Sequence, residues 1–418
     1  MFGFRRNAQG AAALGPATVR ELVSHAGVAT PAYLYDLDAI RETALALESE
    51  LVARPHLVAY ALKANSAGSI VRTLAQAGLG ADVVSGGELS LALAAGIPAG
   101  RILMSGVAKT DREIDRAIGE KIFGIQAESV EEVDRIAARA RALGQRARVS
   151  IRVNPAVQID SHAHIATGHD KAKFGVSLLD VPAAFARIDA EPALLAGVGV
   201  SVHVGSMMTS AEPYRRAARG VAELAVARRA RSQALEYVDF GGGIGIDYGN
   251  SPSESPATFA RAAREVLHEF GLDDLKLVME PGRCLVAPHG VLVAKVIGTK
   301  AGAGGRFLLI DAGMNDLLRP ALYGAHHRVE PLDWAPGAGD WRVVGPVCES
   351  ADDFGVHAIG ERVPEWVVIR DAGAYAFAMA SEYNARPLPT EVFVSAGKVT
   401  AVSKSPGEEA WVTRRLSA

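Results

Sequence analysis

The stretch Val58-Ala59-Tyr60-Ala61-Leu62-Lys63-Ala64-Asn65 is an apolar run that ends on a lysine and passes at once into small and polar residues. Short apolar runs bounded by such residues read as buried strands. A lysine at the end of one has two readings. Its stem can snorkel and carry the ammonium to water. Otherwise burial lowers its pKa towards the free amine, the state that forms a Schiff base with an aldehyde. What the rest of the chain supplies decides between them.

Outward from this run, apolar segments recur at 80–84, 101–105, 122–125, 148–153, 199–203, 236–240 and 275–280. Between most of them lie segments rich in alanine, leucine, arginine and glutamate, such as 69–77, 88–95, 130–143, 213–229 and 256–270. Their apolar residues return every three or four positions, which predicts helix. Eight β/α units in this span fit the length of about 250 residues usual for a closed (β/α)8 barrel. Past Pro281, valine-rich runs at 290–299, 306–310, 341–344, 366–369, 391–394 and 398–402 alternate with Gly and Pro clusters, including a loop at 331–340. That pattern predicts a mostly β second domain. The expected division is a barrel over 37–285 and a β-rich domain over 286–418, joined by N-terminal residues 15–36.

Composition narrows the function. At 418 residues the chain is long enough for two domains, and 49% hydrophobic residues with only 6% aromatics favour a helix-rich soluble enzyme. Lysine and arginine (44) nearly balance aspartate and glutamate (47), with no basic block, so neither nucleic acid nor an acidic membrane is an expected partner. Cys284 and Cys348 are few for this length and suit a reducing compartment. No uncharged apolar stretch is long enough to span a bilayer, and residues 1–14 lack a signal-peptide core. The expected location is the cytoplasm.

The polar residues that end the predicted strands gather where a barrel carries its chemistry. They are Lys63, Asp82, Arg152 with Asn154, and His203. After the seventh strand comes Asp239-Phe240-Gly241-Gly242-Gly243-Ile244-Gly245. The glycines read either as a flexible turn or as bare amides for an anion. The eighth strand ends Glu280-Pro281-Gly282-Arg283. A glutamate emerging from Leu277-Val278-Met279 needs a cationic partner, either Arg283 or the protonated nitrogen of a pyridine ring. A ring so protonated is a strong electron sink, and a carboxylate placed there is what pyridoxal phosphate requires. In the β-rich part, Cys348 stands beside Glu349 among turn residues, where a thiol can act as an acid. Cys284, followed by Leu285 and Val286, reads as a buried hydrophobe. Tyr375 follows a glycine turn. The pairs His162/His164 and His326/His327 lack further ligands at zinc spacing, so no metal is expected.

Taken in order, these segments resemble one family, the diaminopimelate decarboxylases among the alanine-racemase-like (fold type III) pyridoxal-phosphate decarboxylases. The resemblance runs from about Thr30 to Val394. It rests on 60–65, 82–88, Arg152-Val153-Asn154-Pro155, Thr167-Gly168, Lys173-Phe174-Gly175, 203–206, 241–245 and 280–283. It continues through 311–323, 345–350, 373–375, Tyr383-Asn384 and Arg386-Pro387. It implies that Lys63 carries the cofactor, His203 stacks on its ring, and Glu280 pairs with its nitrogen. The phosphate lies against Ser206, Gly242, Gly243 and Gly282, with Asp82, Arg152, Arg283 and Tyr375 also near the cofactor. Arg283, Arg319, Tyr323, Glu349 and Tyr375 hold the substrate, and Cys348 returns a proton.

The resemblance further implies a homodimer with shared active sites and the conversion of meso-2,6-diaminopimelate to L-lysine. Met207, where the family commonly has glutamine, and Ala351, where glycine is usual, bear on the choice of substrate. The alternatives are a decarboxylase of a related amino acid or secondary-pathway intermediate, and a catalytically dead homologue. A racemase of this fold would set arginine, not Glu280, against the ring nitrogen.

Overall fold

The structure is a computed structural model and describes residues 3–155, 173–231, 233–302 and 305–417. The chain falls into two compact units. One comprises Thr43–Ile246 and Ser253–Cys284; the other comprises Met1–Glu42, Asp247–Pro252 and Leu285–Ala418.

In the first unit each apolar run forms a strand. They are His56–Ala61, Gly80–Val83, Ile102–Met104, Gly124–Ala127, Ala147–Asn154, Leu195–Val202, Tyr237–Asp239 and Lys276–Met279. Each pairs in parallel with the next, and the eighth returns to the first through Leu277↔His56, Val278↔Leu57 and Met279↔Val58. A parallel sheet closed in this way buries both faces, which is why the strands are apolar runs without polar alternation. The intervening helices start where the sequence supplies a cap. Ser85, Thr110, Ser129 and Ser255 each accept the N–H three residues on, and Thr110 forms a full capping box with Glu113.

The barrel interior is filled by Leu57, Ala59, Leu103, Phe123, Val198, Tyr237 and Val278. The Phe123 and Tyr237 rings lie 4.8 Å apart. Two strand glycines make room for this large pair: a Cβ on Gly124 would stand 2.6 Å from Tyr237 Oη, and one on Gly199 2.5 Å from the tyrosine ring.

The second unit is built on a sheet in which the long strand Gly290–Gly302 is central. It pairs with Gly305–Ile310 and Trp366–Ile369, and also with Ala32–Asp36 from the N-terminal region. Ala32–Asp36 is fully buried and pairs on its other side, in parallel, with Thr390–Ser395. Leu34, Val291, Val293, Val368, Val392 and Val394 form part of its core. Strands Asp353–Ala358 and Val329–Pro331 and the helix Glu408–Leu416 add to what the valine pattern showed.

Gly199→Ala should drive a methyl into the Tyr237 ring inside the closed sheet. Overpacking of this kind costs about 1–3 kcal/mol, read as a lower urea midpoint at unchanged slope.

Candidate active site

The C-terminal ends of the barrel strands bring together Lys63, Asp82, Arg152, His203, Ser206, Gly242, Gly243, Glu280, Gly282 and Arg283. Lys63 sits on a 3-10 turn, Leu62–Ala64, so the first strand stops at Ala61 and not at the lysine. Its burial is partial: the side chain is 35% exposed, and Nζ lies 3.2 Å from Oδ2 of the wholly buried Asp82. Ser105 donates its hydroxyl to the other oxygen of Asp82.

Glu280 lies one residue past the eighth strand and is buried. Gln126 Nε2 donates to its Oε1 at 2.8 Å and to Asp239 Oδ2 at 2.7 Å. Arg283 donates to Ser206 Oγ at 2.9 Å. Burial first, then the negative charges of Asp239 and Asp82, push the Glu280 carboxyl well above the usual carboxylate range, against the pull of Lys63.

His203, one residue past the sixth strand, is pushed the other way, by burial first and then by the charges of Lys63 and Arg152. The ring is therefore neutral. Its Nδ1 accepts the Gly242 N–H at 3.2 Å, which leaves the proton on Nε2. Arg152 donates to Glu128 at 2.8 Å, and its guanidinium stands 4.9 Å from the Phe174 ring centroid. Glu128 also accepts the N–H groups of Gly106 and Gly175.

The glycine run has a packing reason that the sequence did not show. A Cβ on Gly242 would fall 2.0 Å from the Glu280 carbonyl oxygen. Gly243, at φ +84, would place one 2.4 Å from Gly205 O. Only glycine lets this loop lie against the end of the eighth strand.

Arg319, Tyr323, Cys348, Glu349 and Tyr375 belong to the other unit. Arg319 is buried, donates to His327 Nε2 at 2.6 Å, and stands 4.6 Å from the Tyr248 ring centroid. His327 in turn donates from Nδ1 to Arg370 O at 2.9 Å, while the His326 ring stacks on His357. Tyr323 closes the short helix Arg319–Tyr323. Cys348 and Glu349 are exposed on a turn, where Cys348 N–H donates to Asn384 Oδ1 at 3.0 Å and Tyr383 donates to Glu349. That turn is built round buried Asp352, which accepts the N–H groups of Met314 and Val347, each at 2.6 Å. Met207 and Tyr375 both hold left-handed backbone, at φ +64 and +54. His162, His164, Thr167 and Gly168 lie outside the described residues, among which no group of three or more His, Cys, Asp or Glu could hold a metal.

Sequence reading passed over Ser105, Gln126, Glu128, Asp239 and Asp352. Gln126 and Asp239 carried the same signal as Asp82, a polar residue in an apolar strand.

Residues 37–287 match the family model described as the pyridoxal-dependent decarboxylase, pyridoxal binding domain. The diaminopimelate decarboxylase of Zymomonas mobilis is 38% identical over 91% of this chain and 91% of its own length. The chain belongs to the diaminopimelate decarboxylase family. The structure of the Helicobacter pylori diaminopimelate decarboxylase complexed with L-lysine superposes with a TM-score of 0.89, at 38% identity, over 95% of this chain and 99% of that one. The M. jannaschii diaminopimelate decarboxylase, also in complex with L-lysine, gives 0.90 at 30% identity over 99% and 98%.

Pyridoxal phosphate, the cofactor of the diaminopimelate decarboxylase family, fits this site on the structure's own terms. Asp82, Asp239 and Glu280 are three buried acidic side chains, and the Lys63 ammonium bonds Asp82 among them. A protonated ring nitrogen supplies the further cation that such a cluster needs. Without it, Glu280 destabilises the protein as pH rises above about 4.3, the ordinary glutamate value, because the unfolded chain ionises while the folded carboxyl resists. Cofactor-free Glu280→Gln should therefore match the native protein below that pH and melt increasingly above it as pH rises to 8. The gain is about 2–4 °C for each kcal/mol recovered, measured by calorimetry.

Proposed function

We propose that this chain removes one carboxylate of meso-2,6-diaminopimelate as CO2 and so produces L-lysine, with the barrel-end residues holding pyridoxal phosphate. The observation that carries the reading is the buried Glu280, fixed by Gln126 and raised in proton affinity beside Asp239 and Asp82. It is a site prepared for a proton on a ring nitrogen. The L-lysine bound in the H. pylori and M. jannaschii structures is the product that the reaction predicts.

When bound, the cofactor supplies a protonated pyridine ring that accepts the electron pair released as CO2 leaves. Lys63 would hold the cofactor through its amine, and before that Asp82 fixes the position of its Nζ. Glu280 holds the proton at the ring nitrogen. His203, kept neutral, offers an uncharged imidazole face, so it does not compete with the ring for that proton. Ser206, Gly242, Gly243 and Gly282 would bind the phosphate, with Arg283 donating to Ser206 beside it.

At the substrate end, Arg283, Arg319 and Tyr323 take the far carboxylate, Glu349 takes the far ammonium, and Tyr375 lies near both cofactor and substrate. As the C–C bond to the carboxylate breaks, the Cys348 thiol gives its proton to the carbon left behind and regains one from solvent. Cys348 and Glu349 are exposed in the single chain, yet a carbanion's proton donor works best where water is excluded. This supports a homodimer in which each chain's Cys348 and Glu349 complete the other's site. The free thiols of Cys284 and Cys348 support a cytoplasmic setting. Among the described residues, no helix is long and apolar enough to cross a membrane.

Purified protein should release L-lysine and CO2 from diaminopimelate, and Lys63→Ala should abolish both along with the lysine-bound cofactor absorption. Ornithine lacks the far carboxylate and leaves guanidinium groups unpaired, a loss worth a hundredfold or more, roughly, in discrimination. Ornithine turned over as well as diaminopimelate would overturn the substrate. Mixed Lys63→Ala and Cys348→Ala chains should recover about a quarter to a half of native activity through hybrid dimers of two-fold symmetry. No recovery after demonstrated subunit exchange would mean that each site is built within one chain.

A further inference from the structure

Glu280 is the front of a longer arrangement. Gln126 donates from one amide nitrogen to Glu280 and to Asp239, which has no exposed surface. The other oxygen of Asp239 accepts the Gly241 N–H at 2.8 Å. The main-chain oxygen of Gln126 is held at 2.6 Å by the buried ammonium of Lys109, which also binds Glu132. Glu132 accepts the Glu128 N–H at 2.8 Å. The end of the fourth strand is thus fixed on its own side, and its amide side chain is fixed by two carboxylates.

A second carboxylate behind the one that faces the cofactor is costly to bury, and an asparagine of equal shape would avoid that cost. Asparagine would also keep the bond from Gly241. What a carboxylate alone does is accept and never donate. It therefore obliges Gln126 to present its NH2 group, not its oxygen, to both neighbours.

We propose that Asp239 and Gln126 are positioning residues for the cofactor: Asp239 fixes which end of the Gln126 amide faces Glu280, and so gives Glu280 a donor that leaves it free to accept from the ring nitrogen. With an amide at position 239, Gln126 must turn its oxygen towards that amide's NH2. Glu280 then faces an oxygen and binds it only by retaining a proton of its own. Such a carboxyl no longer accepts from a protonated ring. The charged and titratable groups around the pair include Glu280, Lys63, Asp82, Lys109, His203, Tyr214 and Tyr237. The charges of Asp239 itself and then of Asp82 add to the tendency of Glu280 to hold a proton, which makes a fixed donor from Gln126 necessary.

The inference rests on the cofactor reading above, and its test separates the two. Cofactor-free protein is titrated with pyridoxal 5′-phosphate and with its 1-deaza analogue, in which carbon replaces the ring nitrogen, and binding is followed by protein fluorescence. The native protein should prefer pyridoxal phosphate by about tenfold or more, the worth of a hydrogen bond between charged groups. Asp239→Asn, and independently Gln126→Met, should bind the analogue as the native protein does but lose most of that preference. A role in packing alone would weaken both ligands together and leave the ratio intact. An intact ratio in either folded variant overturns the proposal. Failure of the native protein to bind pyridoxal phosphate at all would instead sink the cofactor reading.

Discussion

The central constraint in this molecule is negative charge held out of water. Asp82, Asp239 and Glu280 converge at the ends of the second, seventh and eighth barrel strands, and each is buried. Uncompensated, such a cluster is a strong argument against folding. It is compensated here by hydrogen-bond donors of fixed direction: the Ser105 hydroxyl, the Gln126 amide, the Gly241 N–H and the Lys63 ammonium. The site is arranged for a cation before any cofactor arrives. That is electrostatic preorganisation in the sense that matters for catalysis, since no dipole need turn when charge develops.

The barrel serves this arrangement by its closure. Eight parallel strands deliver their C-terminal ends to one rim, so residues more than 200 positions apart in sequence become neighbours. Glycines then set how closely the rim loops pack. Gly242 lies against the Glu280 backbone, and its N–H settles which nitrogen of His203 carries the proton. One small residue couples the loop's path to the chemistry of the ring beside it.

Much of this was legible in the sequence. Apolar runs gave the strands, and Lys63, Asp82, His203 and Glu280 stood out because each is polar at the end of one. Gln126 and Asp239 carried the same mark, but their importance lies in bonding each other and Glu280 across the barrel, which no local pattern reveals. The glycine run was legible as glycine, whereas its steric cause, the Glu280 carbonyl, lies about 40 residues away in sequence. Asp352 was hidden in the same way: it organises the Cys348 turn through bonds to Met314 and Val347. The half-exposed ammonium of Lys63 differs from the deep burial its position suggested, because the chain turns at Leu62 and the amine meets Asp82.

The strand Ala32–Asp36 lies between Gly290–Gly302 and Thr390–Ser395 in the sheet of the second unit. Both of its partners come more than 250 residues after it in sequence. During synthesis it must wait, unpaired and apolar, until Gly290–Gly302 has been made, and one edge stays open until Thr390–Ser395 follows, whereas most of the barrel's strands find a neighbour as they emerge. Pairing over such a separation is slow and exposes an open edge in the interval. The β-rich unit is therefore the part of the molecule whose pairing is completed last, and loss of either Ala32–Asp36 or Thr390–Ser395 would open its sheet.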